Sequence, residues 1–467
     1  MRWALAPGVL APGVVAVAAL MRSAIFVSSG SVTFDEGVYG ASVLAMRDGA
    51  APFRDVFSSQ GPLFLPLLRL FDLIGLGHVQ ALRLVMVLSA VAITLGVLAI
   101  ARRVAPPAAG LIAALVVATS GTVLRAAGPV QSDGVALALS VGAVAVAMGA
   151  GSLGDRTRWI VTGLLLGAGV AVKSLFVLPA VLAVVWLFGA DRRWGRVVGT
   201  GAVAAGVVLA ASVPWGLANV WDQNVTFQLM IPRSRNPLAN AADVAVVLGR
   251  REAMVVGLLL LAGVAAALAR RWARPQVVGE LRHRQAVGWW LAAVVVVLVL
   301  GVGAGGGYER YLAFLVVPAA LAVAALRPPA RLATIVAVAL LPVVLLQNLE
   351  VVDGRRLQRE AAEATAVLAE LPEGGLVVSD EPGLPWVVER HPPPDLADMS
   401  WARLQAGYLT AADVLGGVTD PQVCAVVLAS GRFDWLDPDL EAHLTGFVTR
   451  YEWEDGRRRV LVRPDCG

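Results

Sequence analysis

The sequence is poor in charge. Asp, Glu, Lys and Arg make up only 15% of its 467 residues, whereas a water-soluble domain carries about a quarter. With 58% hydrophobic residues and a mean hydropathy of +0.73, most of the chain cannot face water. No basic stripe interleaved with aromatics exists, which excludes a nucleic-acid surface despite a pI of about 9.5. Cysteine is scarce as well: Cys424 and Cys466 are the only two. The C-terminal region has no G-x-G-x-x-G, no metal cluster and no nucleophile elbow. The glycine-rich run at 301–307 lacks the Gly-Lys-Ser/Thr and the preceding strand of a phosphate loop, so it reads as a flexible outer turn.

Long apolar runs stand where charge is missing. At 1.5 Å per residue, roughly 20 apolar residues cross a ~30 Å hydrocarbon core. Eleven runs predict spans at 3–28, 79–101, 107–124, 132–150, 159–173, 175–190, 197–213, 253–269, 287–302, 310–326 and 332–349. The first begins two residues into the chain without a small-residue cleavage site, so an uncleaved span is expected. The 13 tryptophans cluster near run ends, as interfacial anchors do.

Every second connection is rich in arginine: Arg102–Arg103, Arg156 and Arg158, then Arg192, Arg193 and Arg196. The series continues with Arg270, Arg271, Arg274, Arg282 and Arg284, and ends with Arg327 and Arg331. The positive-inside rule places these loops and the N-terminus in the cytoplasm and the C-terminus outside. The predicted architecture is a polytopic α-helical membrane domain at 1–350, with outer loops at about 29–78 and 214–252. An extracytoplasmic domain at 351–467 follows. There a helix over Arg355–Leu371 and the short β-rich runs GLVVSD, WVVE, CAVVLAS and VLVR predict a small α/β fold.

The inner loops are short, so chemistry is expected outside. Asp35 and Glu36 directly follow the outer end of the first span. Helix capping explains them in part, because Thr33-x-x-Glu36 is a capping box and acids suit a first turn. The rest of the loop predicts a short amphipathic helix at 37–48, an extended stretch at 52–60 and an apolar helix at 62–74. Such pieces lie along a membrane surface and roof a cavity. Asp133, just after Gly128-Pro129, either caps its helix or is a second acid of the site. Lys173 lies between two apolar runs at an outer turn; an ionisable residue there is costly and marks a functional site, with snorkelling as the other explanation. Arg83, Arg125 and Arg310 are further cations, each also explicable as an interfacial anchor. The middle loop adds Trp215, Trp221, Asp222, Arg233 and Arg235, suited to a sugar or lipid-phosphate surface as well as to an interface belt. Asn224-Val225-Thr226 matches an N-glycosylation acceptor.

Taken in order, Asp35-Glu36, Arg47-Asp48-Gly49, Pro52-Phe53-Arg54-Asp55, Gln60-Gly61-Pro62-Leu63 and Arg83 resemble the GT-C membrane glycosyltransferases. The set continues with Gly128 to Asp133, Lys173, and Arg310-Tyr311 followed by Pro318. The similarity is greatest to the branch of protein O-mannosyltransferases and the lipid A aminoarabinose transferase. Where that family usually has His or Lys before a Pro-Pro pair, this chain has Gln60-Gly61-Pro62. The resemblance implies inverting transfer of a sugar from a polyprenyl-phosphate donor to an acceptor hydroxyl at the outer membrane face. Nucleotide sugars are absent outside, so a lipid-borne donor suits that placement. Asp35 is then the base, and Glu36 orients the acceptor or holds a divalent metal if one is used. Lys173, Arg83, Arg125 and Arg310 are the candidates for the donor phosphate, with Gln60 and Tyr39 as loop contacts. No other cofactor is called for, and the acceptor is left open.

A transporter or flippase with an outer domain is the alternative. It predicts paired repeats with helices broken at the midplane, and the sequence shows no such repeat. A disulfide between Cys424 and Cys466 is expected, because both fall in the segment placed outside, where disulfides persist.

Overall fold

The computed structural model describes residues 32–149, 153–190, 192–232, 236–252, 278–303, 309–326, 355–437, 440–454 and 456–466, together with Leu20, Gly151 and Gly257. The predicted spans 3–28, 253–269 and 332–349 lie outside the described residues, apart from Leu20 and Gly257. So do Arg233, Arg235 and the side chain of Arg310.

The elements that carry the argument begin with α1 (Phe34–Arg47), α2 (Phe64–Asp72), α3 (His78–Val104), α4 (Pro107–Thr119), α5 (Gly121–Ala127) and α6 (Ser132–Ala147). Next come α7 (Asp155–Lys173), α8 (Leu178–Gly189), α9 (Trp194–Ser212), α10 (Pro237–Arg251), α11 (Val278–Gly303) and α12 (Ala313–Ala325). The C-terminal region adds α13 (Arg355–Ala369), β1 (Leu376–Ser379), α14 (Gly383–Val387), α15 (Trp401–Gln405) and α16 (Ala411–Thr419). It ends with β2 (Val423–Leu428), α17 (Arg432–Leu436), β3 (Val448–Trp453) and β4 (Arg458–Val462).

Two compact units emerge. One comprises 1–28, 85–210 and 233–351; the other comprises 29–84, 211–232 and 352–467. The first outer loop and part of the middle loop therefore group with the C-terminal region. Residues 236–252, assigned to the middle loop by sequence, fall in the apolar unit instead.

In the apolar unit, four helices among the described residues are long and apolar enough to cross a membrane: α3, α7 with its following turn, α9 and α11. The run at 107–124 is not one rod. It breaks at Ser120 into α4 and α5, bent by 60°, and the Ser120 side chain caps the second piece by accepting from the Val123 amide. Three predicted spans are helices of only 16, 12 and 13 residues, namely α6, α8 and α12. At 1.5 Å per residue the shortest covers about 18 Å, so a count of eleven full spans does not follow from this structure. Gly163 and Gly167 of α7 let α9 approach closely: a Cβ at either would lie 2.7 or 2.6 Å from the Thr200 or Ala204 carbonyl oxygen. Small residues four apart serve such contacts between membrane helices.

In the outer unit, the C-terminal region forms a four-stranded sheet in the order β1-β2-β4-β3. β1 and β2 run parallel, while β4 is antiparallel to both β2 and β3. Alternating side chains feed two cores, as a pleated strand requires. Val378, Val426 and Leu461 join Leu396, Met399 and Phe433 on one side. Val377, Ala425, Val427 and Val460 join Leu368 and Trp453 on the other. The run WVVE, β-rich by composition, is instead the end of a short helix, α14, which begins beside Pro382 and contains Pro385. β3 was not predicted, because its residues are mostly exposed and carry Arg450 and Glu452, as befits an edge strand. Cys424 on β2 and Cys466 just beyond β4 are disulfide-bonded, with Cα atoms 5.5 Å apart.

Candidate active site

The outer unit places Asp35 and Glu36 in the first turn of α1. The capping box forms: the Glu36 amide donates to the Thr33 hydroxyl at 3.3 Å, and the Thr33 amide donates to Glu36 Oε2 at 3.0 Å. Glu36 does more than cap. Arg83 Nε lies 2.9 Å from its Oε1 and Arg83 Nη2 3.2 Å from its Oε2, and both side chains are only 1% exposed. A two-toothed guanidinium–carboxylate pair of this kind fixes orientation as well as charge. Asp35 is the partly exposed member of the pair.

The C-terminal region grips the same turn. Phe34 packs against the core beneath the sheet, and the Arg432 guanidinium carbon lies 3.7 Å from the centre of its ring. A Cβ at Gly37 would sit 2.3 Å from the Gly383 nitrogen, and one at Gly40 would strike the Trp386 indole. Glycine is therefore what allows α1 and α14 to meet.

Around this contact lies a set of acids that sequence reading did not single out. Asp380, just past β1, accepts from the amides of Ala429 and Ser430 at 2.6 and 3.0 Å; burial nevertheless raises its carboxyl above the usual range. Burial also pushes Glu381 up to about 7, with nearby Arg432 opposing and Asp380 adding. Asp398 is raised by burial, opposed by Arg403, and Asp35 is among its charged neighbours. A signal existed: Asp380 and Glu381 follow a parallel strand directly, where open α/β sheets gather functional groups.

The remaining loop candidates, Tyr39 and Gln60, lie in the same outer unit. Tyr39 is buried and meets Phe64 edge-on at 4.9 Å. Gln60 Nε2 donates to the Ser59 hydroxyl at 3.1 Å. The loop ahead of Gln60 is held from the middle loop, where Gln223 accepts from the Ser58 amide at 2.8 Å and donates to the Phe53 carbonyl at 3.0 Å.

In the apolar unit, Asp133 and Lys173 are brought together. Asp133 is not the cap: Gln131 is the N-cap residue of α6 and makes no side-chain cap bond. The Asp133 carboxylate lies 2.8 Å from Lys173 Nζ, with side chains 1% and 16% exposed. The ammonium also stands over two rings, 5.5 Å from that of Tyr311 and 5.9 Å from that of Phe176. Lys173 is the one lysine in the chain. Arg125 sits in the last turn of α5.

Sequence reading missed Glu252. It is 2% exposed, and its Oε1 accepts from the Ser120 hydroxyl at 2.6 Å, the Thr122 amide at 2.8 Å and the Thr122 hydroxyl at 2.7 Å. These bonds satisfy the polar break between α4 and α5, which lipid alone cannot. In the sequence Glu252 follows Arg250-Arg251 and looks like part of a solvated charge run.

A metal at Asp35–Glu36 finds little to bind, since both Glu36 oxygens are engaged. Among the described residues, no three His, Cys, Asp or Glu side chains gather as a metal site.

Residues 59–217 match the family model described as dolichyl-phosphate-mannose-protein mannosyltransferase. No curated protein matches the chain. Among solved structures, ArnT from Cupriavidus metallidurans bound to undecaprenyl phosphate is similar with a TM-score of 0.62 and 17% identity, over 97% of this chain and 97% of that one. The Archaeoglobus fulgidus oligosaccharyltransferase in complex with Zn and sulfate gives a TM-score of 0.56 and 14% identity, over 96% of this chain and 72% of that one. AglB from the same archaeon, in complex with an inhibitory peptide and a dolichol-phosphate, gives 0.51 and 13%, over 97% and 74%. At such identities the likeness is one of fold. The resemblance read from the sequence is borne out at that level: this is a membrane protein with the fold of the GT-C glycosyltransferases.

Proposed function

We propose that the protein is an inverting glycosyltransferase that moves a sugar from a polyprenyl-phosphate donor to an acceptor hydroxyl at the outer membrane face. In such a reaction the acceptor oxygen attacks the anomeric carbon, the bond to the phosphate breaks, and the polyprenyl phosphate leaves with the bonding pair. The acceptor proton goes to a carboxylate. Asp35 is that base. The observation that carries the assignment is the division of labour in the first turn of α1: Glu36 is locked to Arg83 and Thr33, while its neighbour Asp35 is partly exposed. Glu36 and Arg83 are then positioning residues that hold the turn, and Arg83 is spent on Glu36.

Lys173 is the cation assigned to the donor phosphate. Its carboxylate partner and two rings hold a partly exposed ammonium in place, a preorganised positive charge of the kind that stabilises a departing anion. The N-terminus is cytoplasmic and the sheet-bearing region outside in this reading; the arginine pattern and the disulfide support it, since disulfides persist in oxidising compartments. The transporter alternative finds no support in the comparisons.

The test offers labelled polyprenyl-phosphate sugars in turn to membranes containing the protein. Asp35→Asn is expected to lower transfer by about 10²–10⁴-fold, the usual contribution of a general base, with an unchanged unfolding midpoint. Wild-type rates from the variant overturn the assignment.

A further inference from the structure

At one end of the apolar unit, arginines gather around a cavity that the proposed transfer does not use. The cavity measures about 400 Å³ and is lined by Arg102, Arg103, Pro106, Gly279, Glu280 and His283 among others. It lies where α3 ends and α11 begins. The acid in this lining is already neutralised, because Arg284 Nη2 stands 2.9 Å from Glu280 Oε1. Arg284 also donates to the Val104 carbonyl at 3.2 Å, and Arg103 to the Gly149 carbonyl at 2.5 Å. Nearby, Arg158 donates to the Leu153 carbonyl at 3.4 Å, yet its Nε is buried with no hydrogen-bond partner among the described residues.

Topogenic arginines need only be on the correct side of a membrane; they need not converge. Here Arg102 and Arg103 line one space, and Arg284 stands beside it on Glu280. The space lies at the ends of α3 and α11, both long and apolar enough to cross a bilayer, and so at headgroup depth. On the face of α3 that carries Arg102, seven and fourteen residues back, Leu95 is half-buried and Leu88 is 50% exposed. An acyl chain has a surface to follow directly beyond the charged space, which a soluble anion does not need. Basic pockets between membrane helices bind anionic headgroups for these reasons.

We propose that this cavity binds the phosphate headgroup of an anionic phospholipid from the leaflet at the arginine-rich end. The proposal does not depend on the transfer reaction. Its test is native mass spectrometry of the purified full chain offered dioleoyl-phosphatidylglycerol or dioleoyl-phosphatidylcholine. Phosphatidylglycerol is expected to be retained more tightly. Arg102→Gln with Arg103→Gln should weaken it by about thirtyfold, from about 1 kcal/mol per lost charge. Arg192→Gln with Arg193→Gln, which removes equal charge from residues that do not line the cavity, should leave retention within about twofold. Glu280→Gln should tighten retention, a gain that misfolding cannot mimic. Equal retention of the two lipids, equal weakening by the two double variants, or no gain from Glu280→Gln overturns the proposal. Full displacement of phosphatidylglycerol by millimolar inorganic phosphate also overturns it, in favour of a soluble anion.

Discussion

Glu36 in the outer unit and Asp133 in the apolar unit are both buried to 1% and both paired to a cation, yet the two pairs are built differently. Arg83 is itself 1% exposed and meets Glu36 through two nitrogens. Lys173 is 16% exposed, meets Asp133 through one, and is flanked by Tyr311 and Phe176. A guanidinium with its fork filled has little left for a ligand, whereas an ammonium with three donors and one carboxylate partner can take another anion. The first pair therefore reads as a brace and the second as a contact point.

The sharpest way to break this comparison is to remove each cation. Arg83→Ala strands a fully buried carboxylate and is expected to cost about 3–5 kcal/mol of stability, measured by thermal or denaturant unfolding. If Arg83→Ala folds normally and only weakens donor binding, brace and contact point have been assigned the wrong way round.

A second difference is covalent. The outer unit contains the Cys424–Cys466 bond, which closes a loop with a sequence separation of 42, while the apolar unit has no cysteine. Reduction, or Cys466→Ser, should cost about 4 kcal/mol on a chain-entropy estimate and lower the melting of the sheet-bearing region alone. Alkylation mapping without reductant checks the bond, since two reactive thiols in the unfolded protein contradict it.

Lys173→Ala is expected to weaken donor binding by about ten- to a hundredfold, the range for one charge-assisted contact, and Lys173→Arg to weaken it far less. Binding of a labelled polyprenyl-phosphate sugar decides this. Equal, small effects of both changes would leave Lys173 a membrane-interface anchor.

A further expected effect is one of pH. Glu381 in the outer unit holds its proton up to about 7 when folded, against the ordinary 4.5 of the unfolded chain. The folded state binds more protons between those values, so this group's contribution to stability falls as pH rises from about 4.5 to 7. Glu381→Gln should flatten that slope, read from unfolding midpoints across the range.

Much of the membrane architecture was legible in the sequence because hydrocarbon imposes length and apolarity on every span. α3, α7, α9 and α11 follow from that rule. The break at Ser120 does not, because its polar groups are satisfied by Glu252, 132 residues away, and no local pattern announces such a partner. The capping box at Thr33–Glu36 was visible as spacing; that Glu36 also belongs to Arg83 was not. Asp133 and Lys173 were each marked by charge at an apolar boundary, but nothing in a linear sequence says that they are 2.8 Å apart.

The sequence by itself determined what local chemistry dictates: the apolar helices, the arginine alternation, the acids at the start of α1, and a C-terminal α/β region with two cysteines. Only the tertiary structure decided which carboxylates are braced by a cation, that Phe34 of the first loop lies under Arg432 of the C-terminal region, and that Arg102 and Arg103 share a cavity with Glu280 and His283. The physical reason is that burial and pairing depend on residues far apart in the chain, while period, length and capping depend on neighbours.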